Sequence, residues 1–153
     1  MKKLTLVLVA VFIFTFATGA LANDSVGVGF EFGTNFIVDT DGETGASEVF
    51  NLNFDLSDDL AVGYYHEETS GDIASVDINA IQVRNNINDL LDAGVRFGNA
   101  DSNVYGGIFS SATLISNDSD TYSGDINLNL GYDFLPDENE DFVKLGLSAL
   151  IKF

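Results

Sequence analysis

From Val26 onward the chain alternates between apolar and polar positions with a period of two, the repeat of a strand with unlike faces. A first run, 26–38, puts Val26, Val28, Phe30, Phe32, Phe36 and Val38 on one face and Gly27, Gly29, Glu31, Gly33 and Asn35 on the other. A second, 49–56, sets Phe50, Leu52, Phe54 and Leu56 against Asn51, Asn53 and Asp55. After Ser57-Asp58-Asp59, a third opposes Leu60, Val62 and Tyr64 to Ala61, Gly63 and Tyr65. The fourth begins with Val76 and Ile78 outward and then hands that face to Ile81 and Val83, a change of phase that predicts a β-bulge near Ala80. The fifth places Leu91, Ala93, Val95 and Phe97 against Asp92, Gly94, Arg96 and Gly98. A sixth, 104–115, mixes apolar and small residues on both faces, so its inward side stays open. The seventh alternates cleanly, Ile126, Leu128, Leu130, Tyr132 and Phe134 against Asp125, Asn127, Asn129, Gly131 and Asp133. The eighth closes the chain with Val143, Leu145, Leu147, Ala149, Ile151 and Phe153 on its apolar face.

Asp, Asn, Gly and Ser clusters separate these runs, as expected for consecutive hairpins. The Asn and Asp of the second face are poor material for a dry core. The pattern therefore predicts an all-β fold, an eight-stranded antiparallel up-and-down transmembrane β-barrel with lipid outside and a polar lumen. Closure removes the strand edges that lipid does not tolerate. With both ends periplasmic, the outward connections are 39–48, 67–75, 99–103 and 136–141 and the inward ones 57–59, 86–90 and 116–124. Longer outside than inside is the usual rule; 116–124 departs from it. A soluble secreted β-protein with the same alternation is the competing fold.

The first 22 residues are of another kind. Lys2 and Lys3 precede an apolar stretch from Leu4 to Ala17, and Ala20 and Ala22 form an A-x-A cleavage site. This reads as a cleaved signal peptide, 1–22, ahead of a barrel domain, 23–153. There are 0 Cys, so the chain has neither a disulfide framework nor the cysteine of a lipoprotein. Beyond the signal only Arg84, Arg96, Lys144 and Lys152 are basic, against 24 acidic residues, a balance that excludes nucleic acid as a partner.

All four bases fall on the polar face by parity, with the acids Glu31, Asp55, Asp77, Asp92, Asp125 and Asp133. Eight strands leave an interior just wide enough for side chains to fill. Isolated buried charge is costly, so these ten residues are expected to pair into a luminal network that plugs the barrel. The alternative is a narrow cation-preferring channel, since acidic excess would select cations if water passed.

His66, the 1 histidine, stands in Tyr64-Tyr65-His66-Glu67-Glu68 on the lipid-facing side near the outer rim. Some small outer-membrane barrels are lipid A-modifying hydrolases that use a His, a Ser and a Glu. Glu67 points to the opposite face and no nucleophile motif is present, so a surface histidine among acids is the simpler reading. The segment Asp39-Thr40-Asp41-Gly42-Glu43 fails as an EF-hand, with Gly42 fourth and Phe50 twelfth. No cofactor is expected; the acidic tips, including Asp137, Glu138, Glu140 and Asp141, could hold divalent cations only loosely.

Signal peptide, eight alternating runs and terminal Phe together resemble the small outer-membrane β-barrels typified by the OmpA transmembrane domain and OmpX. The 0 Trp departs from their aromatic girdles, which leaves Tyr and Phe in that role. In that superfamily a final Phe is part of an address read by the barrel-assembly machinery, so the resemblance assigns an assembly signal to Phe153, Ile151, Ala149 and Leu147. It implies a monomer in the bacterial outer membrane, in contact with lipid and lipopolysaccharide. It further implies a structural or surface-interaction role through acidic extracellular loops, without catalysis.

Overall fold

The computed structural model describes residues 27–73, 75–119, 121–135 and 140–153. The expected signal peptide and the tip acids Asp137 and Glu138 lie outside them. Eight strands follow one another: β1 Val28–Asp39, β2 Thr44–Asp55, β3 Leu60–Gly71, β4 Asp77–Asn88, β5 Leu91–Ala100, β6 Asn103–Asp118, β7 Ser123–Leu135 and β8 Glu140–Lys152. Each pairs antiparallel with the next, and β1 pairs with β8 from Gly29↔Lys152 to Asp39↔Phe142, so the sheet closes on itself. Val28 and Phe153 exchange backbone hydrogen bonds of 3.2 and 2.9 Å, which places both ends of the barrel domain on one side. In barrels of this kind that side is periplasmic.

Alternation dictates the walls. Phe32, Phe36, Phe97, Ile108, Leu130, Leu145 and Leu147 are each more than half exposed, while their sequence neighbours Glu31, Asn35, Arg96, Ser148 and Lys144 are buried. A soluble β-protein would bury the first set; here those residues form an apolar belt around the outside. Every backbone ladder is satisfied within the closed sheet, as hydrocarbon requires.

The strands are longer and the turns tighter than the spacing of polar clusters implies. β1 and β2 are joined by 40–43, where Gly42 takes φ 85° and Asp39 Oδ1 accepts from the backbone N–H of Asp41 (3.0 Å) and Glu43 (2.8 Å). β5 and β6 turn through 101–102 with Asp101 at φ 50°. The troublesome segment 116–124 resolves in the same way. β6 runs to Asp118, β7 starts at Ser123, and Ser119 Oγ donates to the Tyr122 carbonyl at 2.8 Å across a short turn. Polar residues at strand ends look like loop in the sequence because composition alone does not distinguish strand that has left the lipid from turn.

The fourth strand corrects the sequence reading. The β3–β4 ladder runs without a break from Leu60↔Asn85 to Glu68↔Asp77, so there is no bulge at Ala80. Register shifts occur instead at Asn86/Asn88 and at Thr113/Ile115. Val76 and Ile78 are buried, not outward, and β4 keeps one phase with Ile78, Ala80, Gln82 and Arg84 inside. The expectation failed because it equated apolar with outward, and the outer end of this lumen is itself apolar.

Candidate functional site

The lumen is filled in layers. At the periplasmic end Lys152 lies 3.8 Å from Asp55. With Asn53, Ser57, Asp58, Asp59, Asn86 and Asp92, this pair lines an open vestibule of about 300 Å³. Asp125 stands at the same end, opposite Leu150 in the β7–β8 ladder. Arg84 closes the floor of the vestibule, its guanidinium 2.6 Å from Glu31 on the far wall and 3.8 Å from Asp92. Glu31 also accepts from Ser148 Oγ at 2.5 Å and Asn51 Nδ2 at 3.0 Å, so β1, β2, β4 and β8 are tied through one carboxylate.

Above this layer Arg96 makes no ion pair among the described residues. Its guanidinium lies over two rings, its central carbon 3.9 Å from the Tyr65 centroid and 4.4 Å from that of Phe109. Its Nε donates to Gln82 Oε1 at 3.0 Å, and Gln82 passes the chain on to Asn53 Oδ1 at 3.3 Å. A planar cation with a weak hydration shell suits such a slot.

The next layer is a buried triad. Lys144 is ion-paired with both Glu67 and Asp133, and neither carboxylate has any accessible surface. Glu67 is held further by Ser47 Oγ (2.5 Å), the Tyr65 hydroxyl (2.6 Å) and Asn35 Nδ2 (3.1 Å). Two glycines make the crowding possible. A Cβ at Gly63 would come within 2.6 Å of Asn53 Oδ1, and one at Gly146 would overlap Asn35 Oδ1.

The outermost layer is dry. Ile37, Ile78, Ala100, Leu135 and Phe142 are buried near the outer ends of β1, β4, β5, β7 and β8. Ile73 and Val76, from the connection between β3 and β4, turn in to join them, and all seven are buried in one cluster. The connection is anchored by Asp72 N–H to the Thr44 carbonyl (3.1 Å) and Val76 N–H to Thr69 Oγ1 (2.7 Å).

Of the ten charged residues singled out from the sequence, the structure brings together Glu31, Arg84 and Asp92, pairs Asp55 with Lys152, and pairs Asp133 with Lys144. It places Arg96 over two rings and Asp125 at the rim. Asp77 is outside: it lies 3.4 Å from His66 Nδ1 on the outer wall, because the phase of β4 puts Ile78 in. His66 shares that wall with Glu68 (3.6 Å), Asn79 (3.2 Å) and the stacked ring of Tyr64. Sequence reasoning missed Glu67, although its parity with Tyr65 marks it as inward. Its identity as an acid beside His66 drew it into the wrong group. The apolar stopper was missed as well, since its seven members come from five strands and one connection. The terminal residues behave as strand: Leu147, Ala149 and Ile151 face outward, and the Phe153 ring meets Phe30 edge-on at 6.4 Å.

A closed sheet with an apolar belt outside and its charge within defines a small eight-stranded transmembrane β-barrel of the outer-membrane type. No family model matches the chain, nor does any curated protein. Among solved structures, the crystal structure of Neisserial surface protein A (NspA) is similar at 12% identity and TM-score 0.49, over 84% of this chain and 97% of its own. A de novo designed transmembrane β-barrel is similar at 13% identity and TM-score 0.47, over 82% and 94%. Ail, the attachment invasion locus protein of Yersinia pestis, is similar at 11% identity and TM-score 0.36, over 84% and 98%.

Proposed function

We propose that this protein is a non-conducting, monomeric barrel with a structural role in the outer membrane, its lumen plugged by its own side chains. It meets lipid and lipopolysaccharide on its outer wall and presents a rim of acidic extracellular turns to its surroundings. The observation that carries the reading is the Glu67–Lys144–Asp133 triad, which spans the lumen with no accessible surface on either carboxylate. A pore would need hydrated charge there; one buried ammonium held by two buried carboxylates fills that level instead. The acids Asp41, Glu43, Asp72 and Asp101 lie on short connections and Asp39 ends β1 beside them, so the extracellular surface acts through charge more than through extended loops. Divalent cations screen that rim without a dedicated site, because Asp39 is already committed to its own turn.

His66 belongs to this reading as a wall residue. Its polar neighbours Asn79, Asp77 and Glu68 could orient an imidazole, but they supply no serine or threonine nucleophile. The test is electrical and biochemical. Purified protein should be silent in planar bilayers, should run as a heat-modifiable band, and should stay in the membrane through a carbonate wash. A robust cation-selective conductance would make the channel the better reading.

A further inference from the structure

The two ends of the lumen are closed by different physics. The periplasmic half is polar and open to the vestibule, floored by Arg84 and Glu31. The outer half ends in side chains with almost no polar atoms, Ile37, Ile73, Val76, Ile78, Leu135 and Phe142, packed without accessible surface worth a water. An ion-paired layer can be hydrated and rearranged, whereas a dry apolar layer excludes water for want of any partner. The wall also favours the seal. Ile73 nestles against Gly45, where a Cβ would come within 2.6 Å of its Cδ1, so a larger residue there would push the stopper out.

We infer that the lumen is a blind vestibule, reachable by solvent and small polar molecules from the periplasm alone, and sealed on the outer side by a hydrophobic stopper in series with the charged plug. This rests on the plugged-barrel reading and goes beyond it by giving the interior a direction. Solutes at the cell surface meet only the acidic turns and the outer wall. Periplasmic solutes reach the vestibule wall at Asp55, Ala61, Asn86 and Asp92.

The 0 native cysteines make the test clean. Single cysteines are placed one at a time in the full chain, folded into phosphatidylcholine vesicles and challenged from either side with a membrane-impermeant cationic methanethiosulfonate. Asp41→Cys, on the β1–β2 turn, and Asp58→Cys, on the β2–β3 turn, mark the two faces. Ala61→Cys, on the vestibule wall, should react only from the side that modifies Asp58→Cys. Ala100→Cys, in the stopper, should react from neither side, at least about 100-fold more slowly than the markers, because its exposure needs a local opening. Adding Ile73→Asp to Ala100→Cys should raise its rate from the Asp41 side by about tenfold or more, because a carboxylate draws water into the layer. Ala61→Cys should keep its sidedness in that background, since the ion pairs remain. If Ile73→Asp prevents folding, seen as loss of heat modifiability, the two single-cysteine results decide alone. Modification of Ala61→Cys from the Asp41 side, or of Ala100→Cys from that side with Ile73 intact, overturns the inference even if the protein is silent in bilayers. Conductance of the unmodified protein would instead sink the plugged reading.

Discussion

Lys144→Met removes the one cation that touches both Glu67 and Asp133 and replaces it with an uncharged side chain of similar length. Lys144 is 2% exposed and the two carboxylates 0%, so water cannot take its place without reorganising the layer. Glu67 keeps three hydrogen bonds, from Ser47, Tyr65 and Asn35, but Asp133 loses its ion pair, and much of the damage is expected there. Breaking a buried pair by deleting one partner costs about 3–5 kcal/mol, because it strands a charge. Against a total stability on the order of 5–15 kcal/mol this is a third or more. Urea titration in detergent micelles or thin vesicles, read by tryptophan-free signals such as far-UV CD and by the heat-modifiable band, measures the shift. Adding Asp133→Asn to Lys144→Met should recover at least half of the loss by removing the stranded charge. A Lys144→Met midpoint within about 1 kcal/mol of the parent, or a double variant no better than the single, would refute the account of the triad as a coupled charge cluster.

Arg84→Ala should cost about 3–5 kcal/mol in the same titration by leaving Glu31 buried and unpaired, whereas Lys152→Ala, whose partner Asp55 is 3.8 Å away at an open rim, should change stability by less than about 1 kcal/mol. Gly146→Val should lower the yield of heat-modifiable barrel sharply, because its Cβ would collide with Asn35 and the adjoining backbone; a normal yield with an unchanged urea midpoint would show that the lumen has more slack than its packing implies. Phe153→Ser should leave the urea midpoint of barrel already assembled within about 1 kcal/mol, its ring being largely exposed, while reducing the amount assembled per cell; equal amounts of heat-modifiable protein would count against an address at the C-terminus.

Much of the barrel was readable because a strand between lipid and lumen has no freedom about which residues face where. In β7 each of Ile126 to Phe134 is apolar at the outward step and small or polar at the inward one, and strand, face and neighbours follow from that alone. Legibility fails where the two environments cease to differ. At the outer end of β4, Ile78 is inside and Asp77 outside, the reverse of the rule, because the belt has ended and the interior has turned apolar. Nothing local in Val76-Asp77-Ile78 announces this; it takes Ile37, Ala100, Leu135 and Phe142 arriving from other strands. The charge network had the same limit. Parity nominates Arg96 as an inward cation, but only the fold shows it stacked on Tyr65 and Phe109 with an amide as its hydrogen-bond partner.

The ties inside the barrel reach far along the chain. Arg84 and Glu31 are 53 residues apart, Lys144 and Glu67 are 77, and Ser148 and Glu31 are 117. The Ser148–Glu31 bond joins β8 to β1 and so exists only once the ring shuts, and the Lys144–Glu67 pair reaches from β8 past that same seam to β3. Until β1 and β8 join, Glu31 lacks Ser148 and Lys144 lacks Glu67, while the neighbouring-strand pairs Lys144–Asp133 and Arg84–Asp92 are already within reach. Closure thereby completes the network at Glu31 and Glu67. Damage to the charge network should consequently leave the early rate of strand insertion alone and act on how long a finished ring stays shut. The same side chains that make the finished barrel impermeable thus give the unfinished one a reason to complete itself.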